Sequence, residues 1–178
     1  MISIFVFFFL SIVNSFDIIK SVKPQFPKLL KPCPNIDNRL LDMANEISDN
    51  FNQFKISVAN DTTGYICNQQ SSNFGYTSIL ENSVEQNTNI WISNTLLDKP
   101  NTLYNVVLHE VLHSMGLNHS DKQGMMNYSV RIGYNWYGSM EIIDDERKLW
   151  ISPDDRKGLR FLKHEPSQAE PKRRAELL

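Results

Sequence analysis

Residues 109–120 read HEVLHSMGLNHS and hold three of the chain's four histidines. On a helix, His109 and His113 lie four residues apart and project their imidazoles from one face. Gly116 then lets the chain leave the helix in a left-handed conformation that other residues avoid, so His119 returns from a different direction. Whatever else this chain folds into, it has to contain a helix, a stop and a return that together gather three imidazoles.

Three neutral nitrogen donors with a fourth corner left open describe a catalytic zinc site, because a structural site is closed, usually by thiolates. Glu110 follows the first ligand and is displaced by about 100° around the helix, which places it as a base and not as a ligand. Zinc brings the pKa of a bound water down to about 7. The expected chemistry is therefore attack of zinc-bound water on a carbonyl, with Glu110 taking the proton and passing it to the leaving amine. Histidines that merely satisfy a core or a surface have no need of the glycine and the third histidine at set spacings.

The 178 residues, 41% hydrophobic, suffice for one domain with a core of its own. A net charge of -2 and the absence of a basic run interleaved with aromatics exclude a general nucleic-acid binder. The first 15 residues, MISIFVFFFLSIVNS, read as a secretory signal peptide, with Val13 and Ser15 where cleavage-site residues would lie. They lack the usual basic residue before the apolar run, which leaves an uncleaved anchor open; the run is short of the roughly 20 residues of a span. Secretion gives Cys33 and Cys67 an oxidising compartment in which to pair with each other. It also makes Asn60, in Asn60-Asp61-Thr62, a candidate glycosylation site on an exposed turn. Asn118 and Asn127 match the same pattern but sit beside the histidine cluster, where a sugar would crowd the cleft.

Four segments follow: residues 1–15, the signal; 16–34, a short N-terminal stretch able to supply one edge strand; 35–165, the domain; and 166–178, a polar, Pro-containing tail expected to be disordered. Leu40, Met43, Ala44, Ile47, Phe51 and Phe54 recur at helical spacing after Asn35 or Asp37 as N-cap. Strand-like runs follow at 54–59, 65–68, 75–80 and 90–93. A second helix, capped by Asn101 or Thr102, carries the histidine motif. Residues 118–150 show no sustained period and read as a long packed loop, and the aromatics between Arg131 and Trp150 are expected to shape the substrate pocket. A last helix opens at Ser152-Pro153-Asp154-Asp155 and ends near His164, a partner for its C-terminal dipole.

HEVLHSMGLNH matches the HExxHxxGxxH signature of the metzincin zinc endopeptidases, and residues 124–128, GMMNY, resemble their Met-turn. Ser120 after the third histidine and ISPDDRKGLRFL at 151–162 are similar to the matrixin subgroup. The resemblance implies an α+β, zincin-like catalytic domain: a small twisted mixed sheet on an N-terminal helix and the zinc helix, then a short C-terminal subdomain ending in a helix. It implies a secreted, monomeric peptidase holding one Zn2+ through His109, His113 and His119, with Glu110 as base, a protein or peptide substrate, and no nucleic-acid or membrane partner once the signal is removed. Met126 would form the apolar floor below the histidines, with Met125 as the other register. Tyr128 lies where astacins and serralysins keep a tyrosine that stabilises the reaction intermediate, and an ordinary buried hydrogen bond is the equal alternative. Residues 75–80 would be the exposed edge strand that binds an extended substrate.

Several features depart from that family. No histidine precedes His109, so the matrixins' second zinc is expected to be absent. Calcium binding near Asp144, Asp145 and Glu146 is left open, since acidic runs are more often a solvated loop. Residues 31–37, KPCPNID, resemble a latency switch that would leave Cys33 a free thiol, against the disulfide reading favoured above. Two other functions stay open: hydrolysis of a non-peptide amide, and a secreted binding module that keeps the shell without peptidase activity. An intact Glu110 beside three ligands argues against the latter.

Overall fold

The structure, a computed structural model, describes residues 18–19, 24–59, 62, 64–81, 86–122 and 124–164. The expected signal peptide, Asn60 and the tail 166–178 lie outside the described residues. The elements run β1 (Lys28–Pro32), α1 (Asn38–Asn50), β2 (Phe54–Ile56), β3 (Tyr65–Gln69), β4 (Gly75–Glu81), β5 (Gln86–Ser93), α2 (Pro100–Ser114), β6 (Ile132–Tyr134), β7 (Met140–Ile142) and α3 (Pro153–His164). The chain is α+β, with one mixed five-stranded sheet in the order β2-β1-β3-β5-β4 and a separate β6–β7 hairpin.

β1 pairs in parallel with both β2 and β3, β3 with β5, and β4 closes the edge antiparallel to β5. The N-terminal strand is thus internal, contrary to the edge position expected from its prolines. Only Pro32, its last residue, falls within the strand, where a missing N–H costs the ladder little. Helix α1 starts at Asp37, whose carboxylate accepts the Arg39 N–H at 2.9 Å. It stops at Asn50 instead of running on to Phe54: Phe51 is its C-cap, and Phe54 enters β2 with its side chain fully buried. Leu40, Met43, Ala44 and Ile47 form the buried face of α1, which packs on α2 and β2.

Helix α2 is buried on all sides from Thr102 to Leu112, so its polar groups need partners inside the protein. Neither Asn101 nor Thr102 caps it. Lys99 occupies the cap position without a side-chain bond, Pro100 takes the first turn, and the Thr102 N–H is accepted by Asp144 at 2.9 Å from 42 residues away. Asn105 donates to Asp145 at 2.8 Å and accepts from the Leu149 N–H at 2.7 Å. Asp144, Asp145 and Leu149 therefore strap this segment along α2, and only Glu146 of the acidic run stays in solvent as expected. The stretch expected as one packed loop also contains the hairpin, whose turn closes through Asn135 and Ser139. Helix α3 opens as its sequence reads, with Ser152 and Asp155 bonded reciprocally.

Cys33 and Cys67 form a disulfide, so Cys33 is not a free switch thiol; the bond ties the end of β1 to its neighbour β3. It closes a 34-residue separation, worth about 3–4 kcal/mol in chain entropy. Replacing both cysteines by serine is expected to lower the unfolding free energy by about that amount in urea titrations.

Lys28 shares the inward face of β1 with Leu30 and is wholly buried. Burial disfavours its charged form and lowers its pKa from 10.5 to about 8. Below pH 8 the folded state carries that penalty in full. As pH rises from 8 to 10.5 the unfolded chain binds more protons than the folded one, and the penalty fades. Lys28→Met is expected to add up to about 3 kcal/mol at pH 7 and progressively less toward pH 10.5, as read from thermal unfolding across that range.

Candidate metal centre

The stop after α2 is a Schellman turn. Gly116 has φ 105°, its N–H donates to His113 O at 2.9 Å, and the Leu117 N–H reaches Leu112 O at 3.1 Å. Reversal of the chain there sends His119 back over the helix. The Nε2 atom of His119 lies 3.2 Å from Nε2 of His109 and 3.1 Å from Nε2 of His113. Among the described residues these three form the group of potential metal ligands.

The other ring nitrogens set the protonation state. His109 Nδ1–H donates to Met125 O and His113 Nδ1–H to Leu117 O, each at 2.8 Å. Both Nε2 atoms then carry lone pairs aimed at the common centre. A proton on His119 could satisfy one of the two short contacts at most, whereas a cation at the centre would engage all three nitrogens. Tetrahedral zinc with nitrogens at about 2.0–2.1 Å separates them by about 3.3–3.4 Å, close to what is found. Burial holds His109 and His113 below the ordinary imidazole range, His113 to about 4, so both are neutral donors at pH 7.

Glu110, buried beside His109, turns its carboxylate toward β4, where the Thr77 hydroxyl donates to Oε2 at 2.7 Å. Desolvation raises its pKa from 4.5 to about 7, opposed by the Thr77 bond. Gly75 leaves the room: a Cβ there would come within 2.7 Å of Val106 Cγ1 and 3.1 Å of Glu110 Oε1. A cleft of about 550 Å³ runs past these groups, lined by β4 residues together with the three histidines, Glu110, Tyr128 and Val130.

Met125 and Met126 are both buried in the turn that faces α2. The main chain of Met125 matters most directly: its O holds His109, and its N–H donates to Asp155 Oδ2 at 2.9 Å. Asp155, on α3, is itself buried and also accepts from Ser152. Tyr128 lies with its ring centroid 6.5 Å from that of His109, and its hydroxyl donates to Asp145 Oδ2 at 2.6 Å. Burial and that carboxylate push its pKa up. The aromatics expected to shape the cleft do not line it; Tyr134, Trp136, Tyr137 and Trp150 are exposed elsewhere.

Sequence reading assigned no role at the centre to Thr77, Gly75 or Asp155, which lie outside the motif, nor to the Leu117 and Met125 carbonyls, which lie within the quoted stretches but are main-chain groups placed by the turns. Ile19 was equally unforeseen. Its N–H donates to Gly116 O at 2.8 Å, and its side chain lines the cleft. In comparisons with known proteins, no family model and no curated protein matches the chain.

The chain is expected to bind one Zn2+ per molecule in calorimetric titration. His119→Ala should weaken that binding by more than the roughly 10–100-fold typical of losing an outer hydrogen bond, and equal affinity in the two proteins would refute the ligand assignment.

Proposed function

We propose that the chain is a secreted zinc endopeptidase of the metzincin type, closest to a minimal matrixin catalytic domain. The observation that carries this reading is the convergence of three imidazole Nε2 atoms beside a buried carboxylate, in a cleft bordered by a sheet edge. His109, His113 and His119 would hold the ion, which when bound supplies the Lewis acidity that makes water a competent nucleophile near neutral pH.

The rest of the chemistry belongs to the chain. Thr77 holds Oε2 of Glu110, leaving Oε1 to accept a proton and deliver it to the departing amine. A carboxylate raised to about 7 suits both halves of that task. Among the described residues β4 pairs with β5 alone, so its outer edge offers main-chain groups to an extended peptide. Thr77 lies on that same strand, so the element that would align the substrate also orients the base. Tyr128, which also lines the cleft, is a candidate for oxyanion stabilisation once its hydroxyl leaves Asp145.

The test is cleavage of a peptide library by the zinc-loaded chain. Activity should vanish on chelation and return with zinc. Glu110→Gln should retain the metal and lose about 10²–10⁴-fold in kcat. Thr77→Val should lower kcat about tenfold with little change in KM, and Thr77→Ser should recover most of it. A library left uncut by wild type and Glu110→Gln alike would sink the peptidase reading.

A further inference from the structure

The β6–β7 hairpin is an exposed apolar surface that the candidate centre leaves unused. Trp136 and Tyr137 at its tip are 97% and 90% exposed, and Tyr134 and Met140 behind them are 75% and 73% exposed. Tyr134 faces Met140 and Ile132 faces Ile142 across the ladder, so these side chains share one face. Residues 132–140, IGYNWYGSM, contain no charged side chain. An uncharged, aromatic-tipped projection of this kind marks an interaction site.

We propose that this hairpin is a membrane-interface anchor that seats the domain on a zwitterionic lipid surface. Three observations favour lipid over a protein partner. First, the backbone of the tip satisfies itself: Asn135 and Gly138 N–H groups bond within the turn, and the Tyr137 and Ser139 N–H groups both donate to Asn135 Oδ1. Few main-chain groups lose water when the tip enters an apolar medium. Second, tryptophan and tyrosine are the side chains that settle at the headgroup level of a bilayer. Third, three aromatics cover roughly 450–750 Å², short of the about 800 Å² that each partner contributes to a standard protein interface.

Charge and length limit the depth. Even fully extended, the chain from Ile132 to Trp136 reaches at most about 13 Å, room to immerse the tip by the 5–10 Å typical of interfacial elements and not enough to span. Charged groups collar the base, with Arg131 paired to Asp145 and Glu146, and Lys99 to Glu141. Carboxylates predominate in that collar, and the net charge is -2, so anionic lipid adds no attraction. This surface amends the expectation of no membrane partner and stands independently of the metal centre.

The test is flotation of the full chain with phosphatidylcholine vesicles, alongside Trp136→Ser/Tyr137→Ser, which carries the same N-terminus. Wild type should partition at least tenfold more strongly than the double variant, with circular dichroism and zinc stoichiometry equal in the two. Lipids brominated near the headgroup should quench emission that is present in wild type and missing from Trp136→Phe, a variant that keeps the ring. Equal partition of wild type and double variant, or unquenched Trp136, overturns the proposal. So does a wild-type chain that self-associates, or captures protein substrates, through Trp136 while ignoring the vesicles.

Discussion

Two imidazole N–H groups, on His109 and His113, each donate to a backbone carbonyl, and much of the structure serves to bring those carbonyls into place. Leu117 O is supplied locally by the Schellman turn at Gly116. Met125 O is supplied from a distance: Asp155, at the start of α3, binds the Met125 N–H and holds the turn against α2. Because each bond fixes both ring orientation and tautomer, the two free Nε2 atoms meet His119 as lone pairs. Imidazole nitrogens packed this closely without a cation would repel one another, which is why this geometry speaks for a metal.

The same helix shows what complete burial demands. Wrapped on all sides, α2 cannot leave Thr102, Asn105, His109, Glu110 or Ser114 to water. Asp144, Asp145 and Leu149 answer the first two, and so hold the strap that follows the hairpin. Thr77 answers Glu110, which couples the sheet edge to the base. Polar groups on a buried helix thus determine where the irregular segments run.

Much of this was legible beforehand because the signals are local. The histidine spacing, Gly116 as the stop, Asp37 as a cap, the capping pattern at Ser152 and the apolar period of α1 each act within a few residues. What was misread involves partners far along the chain. The 144–146 run looked solvated because Thr102 and Asn105, which engage Asp144 and Asp145, lie about 40 residues earlier. β1 looked like an edge because its prolines are visible in sequence, whereas its two parallel neighbours are not. The hairpin aromatics looked like cleft lining because their exposure is a property of the folded surface.

The sequence alone determined that three imidazoles would converge with a carboxylate next to the first of them, since helical pitch and a glycine reversal are consequences of bond geometry over eleven residues. Tertiary structure decided the chemistry of that point. It assigned the tautomers through carbonyls, raised Glu110 by removing its water, gave it Thr77 and the space left by Gly75, and placed the β4 edge of the sheet alongside. Those decisions depend on desolvation and on contacts between segments distant in the chain, and neither is encoded within any short stretch of residues.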